Sequence, residues 1–270
     1  DRAGDGGLIK RITTFNLFWT VGITIGPMIS SYLYRGTSPV IPFYFAGGFS
    51  LLNWLAIKSQ TSPHCEGYPA SEQPPSSETA SPLPPDTHHI YLKMARLANF
   101  ASWFSLGMVR HIMPKLTVEM GIPAKAYGNL ILVSGITQLV GFLGFGTNRS
   151  TRLYYRLIPL IGVQLLAAIA FLVIGLQPHG IAWTLAFAVI GLSSAVTYFS
   201  SMYYSLHAQD DKGNKSGWHE AVLGSGLLLG PFLGGVSADS GLGVNSSYLL
   251  CAAVIVICGV VEAGIWLRYK

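Results

Sequence analysis

Eight stretches of roughly 20 mostly apolar residues, separated by short polar segments, constrain this chain more than any other feature. A helix needs about that many residues to cross the hydrocarbon of a bilayer, at about 1.5 Å each. The stretches lie near 13–34, 40–57, 93–113, 126–146, 155–176, 180–206, 217–237 and 247–267, the second being the shortest and the third the most polar. In hydrocarbon every backbone N–H and C=O must find a partner inside the chain, so runs of this length are expected as helices. Charged residues make up 11% of the chain, against about 25% in a soluble domain, and the mean hydropathy is +0.45. The expected fold class is therefore all-α, a polytopic transmembrane helix bundle with the lipid bilayer as its partner.

The net charge of +5 would suit nucleic acid in a soluble protein, but in a membrane protein the placement of Lys and Arg matters more than their total. With residues 1–12 on the cytoplasmic side, that side receives Arg2, Lys10, Arg11, Lys58, Lys93, Arg96, Arg149, Arg152, Arg156, Lys212, Lys215, Arg268 and Lys270. The opposite side has only Arg35, Arg110, Lys115 and Lys125, a bias of 13 to 4. Both termini of the chain are thus expected in the cytoplasm, the membrane is expected to be a bacterial inner membrane, and no nucleic-acid partner is expected.

Residues 59–89 hold seven of the fifteen prolines and almost no bulky aliphatics, so a core cannot form there. This divides the chain into 1–58, with two helices, a cytoplasmic disordered linker over 59–92, and 93–270, with six helices. The chain opens at Asp1 without a signal peptide. "GITIGPMISS" at 22–31 recurs as "GLLLGPFLGG" at 226–235, an offset of 204 residues. The apolar segments that follow, 40–57 and 247–267, come in the same order, as in an internal repeat. If 13–57 repeats 217–267, four helices precede residue 1.

At Gly217, Gly226, Gly230, Pro231, Gly234 and Gly235 the chain reads G-x8-G-x3-G-P-x2-G-G. This pattern resembles a motif of the major facilitator superfamily, whose members join two six-helix halves by a long cytoplasmic loop. The resemblance covers nearly the whole chain. It implies that the eight helices are helices five to twelve of an expected twelve. It further implies a secondary or facilitative transporter, not an enzyme, that moves a small solute by alternating access, with a coupling proton or cation left open. The earlier copy keeps Gly22, Gly26 and Pro27, with Thr13, Ser30 and Ser31 in place of glycines. The family's basic loop would correspond to "GFGTNRSTRLYYR" at 144–156, which lacks the family's Asp. Two readings of the Gly-Pro residues stand side by side: a seam that moves during transport, or a static small-residue packing face.

Polar side chains inside a membrane are costly, and each is a candidate for function. Asn99, Trp103 and Arg110 fall within about 40° of one another on a helix, a face suited to a solute path. An arginine there also has a plainer use, snorkelling to lipid headgroups. Ser193, Thr197, Ser200 and Tyr204 lie within about 60° of one another, as a wet stripe or as interhelical hydrogen bonds. Gln138 suits either use. His219 and Glu220 are candidates for a proton relay, and Glu220 in a first turn also suits the helix dipole. Gln164 and Glu262 fall on helices that the resemblance places peripherally, which implies structural roles, and His88-His89 is expected in the linker. Cys65, Cys251 and Cys258 form no metal-type cluster, and no metal or other cofactor is expected. No Ser-His-Asp context, H-E-x-x-H or Walker loop occurs. The alternative to a transporter is a receptor or scaffold on the same helical frame, which would need only packing and no polar cavity.

Overall fold

The computed structural model describes residues 3–34, 40–59, 85–146, 155–176, 180–207, 212–243 and 245–269. Among them the chain is helical and carries no strand. The helices are α1 (Ala3–Leu33), α2 (Ile41–Ser59), α3 (Pro85–His111), α4 (Met113–Glu119), α5 (Ala124–Phe145), α6 (Leu157–Leu176), α7 (Ile181–His207), α8 (Lys212–Ser237) and α9 (Ser246–Tyr269). A π-helical turn, Ala238–Leu242, extends α8. By length and apolar composition α1 and α5 to α9 qualify as membrane spans. Of the three that do not, α4 has seven residues, and α2 and α3 are the short and the polar segment of the sequence.

Of the linker expected over 59–92, only Ser59, the end of α2, and residues 85–92 are described. Residues 85–92 are the first two turns of α3, so His88 and His89 belong to a helix. Pro85 opens it, where a missing N–H costs no helical hydrogen bond. Residues 60–84 lie outside the described residues, as do Arg35, Cys65 and most of the basic loop, 147–154. Pro27 and Pro231 sit inside α1 and α8 without ending them. The turn into α9 closes at Gly243, whose positive φ of 81° an L side chain would resist. There Ser246 Oγ donates to the Gly243 carbonyl at 2.7 Å.

α3 is the hub. It packs on α8, α7 and α9, while α7 reaches α5, α6 and α8, and α6 lies against α9. α1 joins through α5, and α2 touches α1 with none of its residues buried. The face α1 turns inward is its polar one. Thr13, Asn16, Thr20, Thr24 and Ser31 are buried, whereas Phe15, Phe18, Val21 and Ile25 are exposed, Phe18 at 78%. That arrangement is wrong in water and right in lipid, where apolar side chains gain nothing by turning inward and polar ones need partners.

Glycines on α5 receive this face. A Cβ at Gly146, Gly135 or Gly128 would collide with Thr13, Thr24 or Ser31 respectively. As α1 advances by 11 and then 7 residues, α5 retreats by 11 and then 7, an antiparallel register without a slip. α8 and α3 pack as closely, in parallel. A Cβ at Gly226 or Gly230 would meet the backbone of α3 around Phe104, and one at Gly107 would meet Leu227 and Pro231.

Candidate functional site

Well inside these spans, three helices bring aromatic rings together. Trp19 of α1 lies 5.4 Å from Trp103 of α3, and both rest on Tyr198 of α7, at 5.6 Å and 5.8 Å between ring centroids. Phe142 of α5 adds an edge contact to Tyr198 at 6.0 Å, and His219 of α8 another at 5.0 Å. Five helices therefore converge on Tyr198.

Around the rings, polar groups are buried with no hydrogen bond inside the protein. Neither amide atom of Asn16 or Asn99 is paired, nor is Thr20 Oγ1, Trp103 Nε1, Gln138 Nε2 or His219 Nε2. Asn16 is one turn from Trp19, Asn99 one turn from Trp103, and Gln138 one turn from Phe142, so each belongs to the face that carries its ring. An orphaned buried amide costs roughly 1–3 kcal/mol, and several in one place mark a site for polar contact.

Arg110 stands at the last turn of α3, with its guanidinium 5.7 Å from the Trp103 ring. Helical side chains lean toward the N-terminus, and seven residues are almost two full turns, so the cation lies back along α3 toward the cluster. Among the described residues it makes no ion pair; the salt bridges there join Lys115 to Glu119 and to Asp239, each at 3.8 Å. Tyr127 Oη donates to the Val109 carbonyl beside it at 2.9 Å.

Asn99, Trp103, Gln138 and His219 thus share one region, with Arg110 above it. The stripe on α7 runs along a different flank. Ser193 lines a small void with Ser105 and Gln164, and Thr197 Oγ1 donates to the Ser194 carbonyl at 3.3 Å. Ser200 is buried. Tyr204 stacks on Tyr155 at 4.7 Å and accepts its backbone N–H at 2.9 Å, beside His88 and Tyr91. All four are covered by protein, but the residue that meets the cluster is Tyr198, about a third of a turn away from Thr197. His219 and Glu220 are not brought together: His219 is buried, its Nδ1 hydrogen-bonded to Ser201 Oγ at 2.9 Å, and Glu220 is exposed.

The Gly-Pro residues divide in the same way. Gly226 and Gly230 sit on the α3 backbone, Gly234 meets Met108, and Pro231 meets Gly107, whereas a Cβ at Gly217, Gly22 or Gly26 would find open space. Gly235 has only an ordinary contact with Ile112. Pro27 is half-buried.

Asn16, Trp19, Thr20 and Tyr198 escape the sequence reading. The signal was present for two of them: Asn16, Thr20 and Thr24 recur every four residues, the same test that picked out the face on α3. A separate cavity of about 500 Å³, lined by Ile122, Asn129 and Trp183 among others, opens between the starts of α5 and α7.

No curated protein and no solved structure matches the chain significantly. The family model of the Major Facilitator Superfamily matches residues 7–210. That match covers well over half of a sequence whose helices are long and apolar enough to cross a membrane six times, and the chain belongs to this superfamily of multi-pass membrane transporters.

Proposed function

We propose that the cluster around Tyr198 is the solute site of a secondary or facilitative transporter working by alternating access. The observation that carries this reading is the pair of buried, unpaired amides of Asn16 and Asn99, each one helical turn from a ring of the Trp19–Trp103 contact. A scaffold would bury its amides paired, since an orphaned polar group in lipid only weakens the fold. Flat aromatic walls with a few convergent donors and acceptors suit a small polar solute, bearing hydroxyl or amide groups. Arg110, without a carboxylate partner among the described residues, suits an anionic group on it.

We also propose that both termini are cytoplasmic, on the bias of Lys and Arg, and that the chain is helices five to twelve of twelve, a reading that two helical faces support. Displaced by the repeat offset, the α1 residues that enter α5, Thr13, Thr24 and Ser31, fall on Gly217, Leu228 and Gly235 of α8. There Leu228 is 70% exposed and Gly217 is open. Conversely, Gly226 and Gly230 of α8 are seated on α3, while their counterparts Gly22 and Gly26 on α1 are open. Each helix uses the face the other leaves free. Two six-helix halves exchanging one helix contact each way would produce this reciprocity.

Binding can be read from the fluorescence of the purified chain in lipid, because Trp19 and Trp103 flank the site. Titration with a panel of neutral polyols, amides and carboxylates should give saturable quenching by one class, weakened about tenfold or more in Asn99→Ala, on the scale of one lost hydrogen bond in a buried site. Quenching that survives unchanged in Asn99→Ala and Asn16→Ala would overturn the assignment.

A further inference from the structure

A second buried polar pair lies away from the cluster, in the seam between α6 and α9. Glu262 is 0% exposed. Gln164 Nε2 donates to Glu262 Oε2 at 2.8 Å and to the Leu160 carbonyl at 3.2 Å. The other oxygen of each side chain, Glu262 Oε1 and Gln164 Oε1, is buried with no hydrogen-bond partner.

The donor inventory decides what this geometry needs. A carboxylate offers only acceptors, and so does an amide oxygen. With Glu262 ionised, both oxygens stay unsatisfied and a full charge sits in a membrane helix. A neutral acid has one O–H. Placed on Oε1 and turned to Gln164 Oε1, it would close a two-bond acid–amide ring with the Nε2 donation to Oε2. One proton satisfies both orphaned oxygens.

Among the described residues, the surroundings offer no cation in its place. α6 carries no ionisable residue. On α9 the nearest titratable group is the Cys258 thiol, one turn earlier and buried. On α3, Arg96 is turned to α8, donating to the Lys215 carbonyl at 3.1 Å, and Tyr91 meets Tyr155 and Tyr204 edge-on while its side chain is hydrogen-bonded to Trp266 of α9. On α8, His219 faces Ser201, and Asp239 beyond its end faces Lys115. Leu160, Met94 and Ala98, with Ile265 and Trp266 against them, form an apolar cluster next to the pair.

We propose that Glu262 carries a proton in the folded protein and that, with Gln164, it forms a proton-binding site in the α6–α9 seam. Release of that proton to water leaves a carboxylate facing an amide oxygen, so the ring opens and the packing of α9 on α6 is linked to proton binding. This site is independent of the aromatic cluster and of any solute bound there.

Infrared spectroscopy of the full chain in lipid at neutral pH tests the proposal. The expected result is the C=O stretch of a neutral carboxylic acid, lost in Glu262→Gln and shifted to higher frequency in Gln164→Leu, which removes the amide partner. Should Glu262→Gln not fold, the unsubstituted chain labelled with [13C]glutamate provides the same assignment. The other described glutamates, Glu119 and Glu220, are exposed. A carboxylate band in place of the neutral acid overturns the proposal. A neutral-acid band unchanged in Gln164→Leu overturns the ring.

Discussion

At Arg110 the direction of one side chain separates two roles. An arginine that anchors headgroups extends toward the nearer membrane surface. Here the guanidinium lies back over Trp103, seven residues earlier on the same face of α3. A cation over an indole is worth about 0.5 to 2 kcal/mol depending on desolvation, enough to hold an arginine in place until an anion competes for it. Arg110→Ala is therefore expected to lower solute uptake by about tenfold or more with membrane insertion unchanged, since a hydrogen bond to a charged group is worth about 1.5–3 kcal/mol. Uptake into proteoliposomes measures this, and unchanged uptake would reduce Arg110 to an anchor. Arg110→Lys should recover only part of the loss, because a lysine lacks the planar fork.

Among the elements, α1 and α8 carry the same Gly-Pro pattern and use it on different sides. Gly230 has the α3 backbone around Phe104 where its Cβ would be, and backbone cannot move aside as the tip of a side chain can. Gly230→Ala should destabilise the purified protein by about 1–3 kcal/mol, the usual range for overpacking, and lower the midpoint of thermal unfolding in detergent. Gly22→Ala and Gly224→Ala, which meet nothing within 4 Å, should leave that midpoint where it was. Equal effects at all three positions would mean that helix flexibility and not close packing is what the glycines supply. The grip of α1 on α5 belongs to the same scale: hydroxyls of Thr13, Thr24 and Ser31 enter gaps left by glycines, so that contact rests on the absence of three side chains.

For the whole molecule, the asymmetry of Lys and Arg predicts a topology that labelling can check. In a background without native cysteines, a cysteine at Gly180, between α6 and α7, should react with a membrane-impermeant maleimide from outside intact cells. One at Gly213, at the start of α8, should react only after permeabilisation. The reverse pattern would invert the orientation proposed for the termini. Glu262 and the aromatic cluster lie on different seams of the same bundle, so loss of one by mutation should leave the spectroscopic signature of the other intact.

Run length alone determined that this chain is a set of helices in a membrane, because hydrocarbon admits no other way to satisfy a single segment's backbone. It served α6 well, whose run carries no ionisable residue and a single amide, Gln164, and was weakest at α3, whose polar residues Asn99, Ser105 and Arg110 made the segment look marginal. Those residues are polar because α3 is the hub, touching protein on most sides instead of lipid. Composition cannot tell a helix that is poorly suited to lipid from one that hardly meets it. Periodicity found the face of α3 that carries Asn99 and Trp103, yet on α7 it chose Ser193, Thr197 and Ser200 over Tyr198. From Ser193 to Ser201 every residue of α7 is buried, so every stripe there is covered, and only the position of its neighbours decides which one meets the cluster. The tertiary structure likewise separated His219 from Glu220 and turned the polar face of α1 inward. In water the hydrophobic effect would fix how a helix is rotated about its axis. In lipid that force is absent between helices, and the rotation is left to glycine gaps and polar partners on other helices, which no single segment contains.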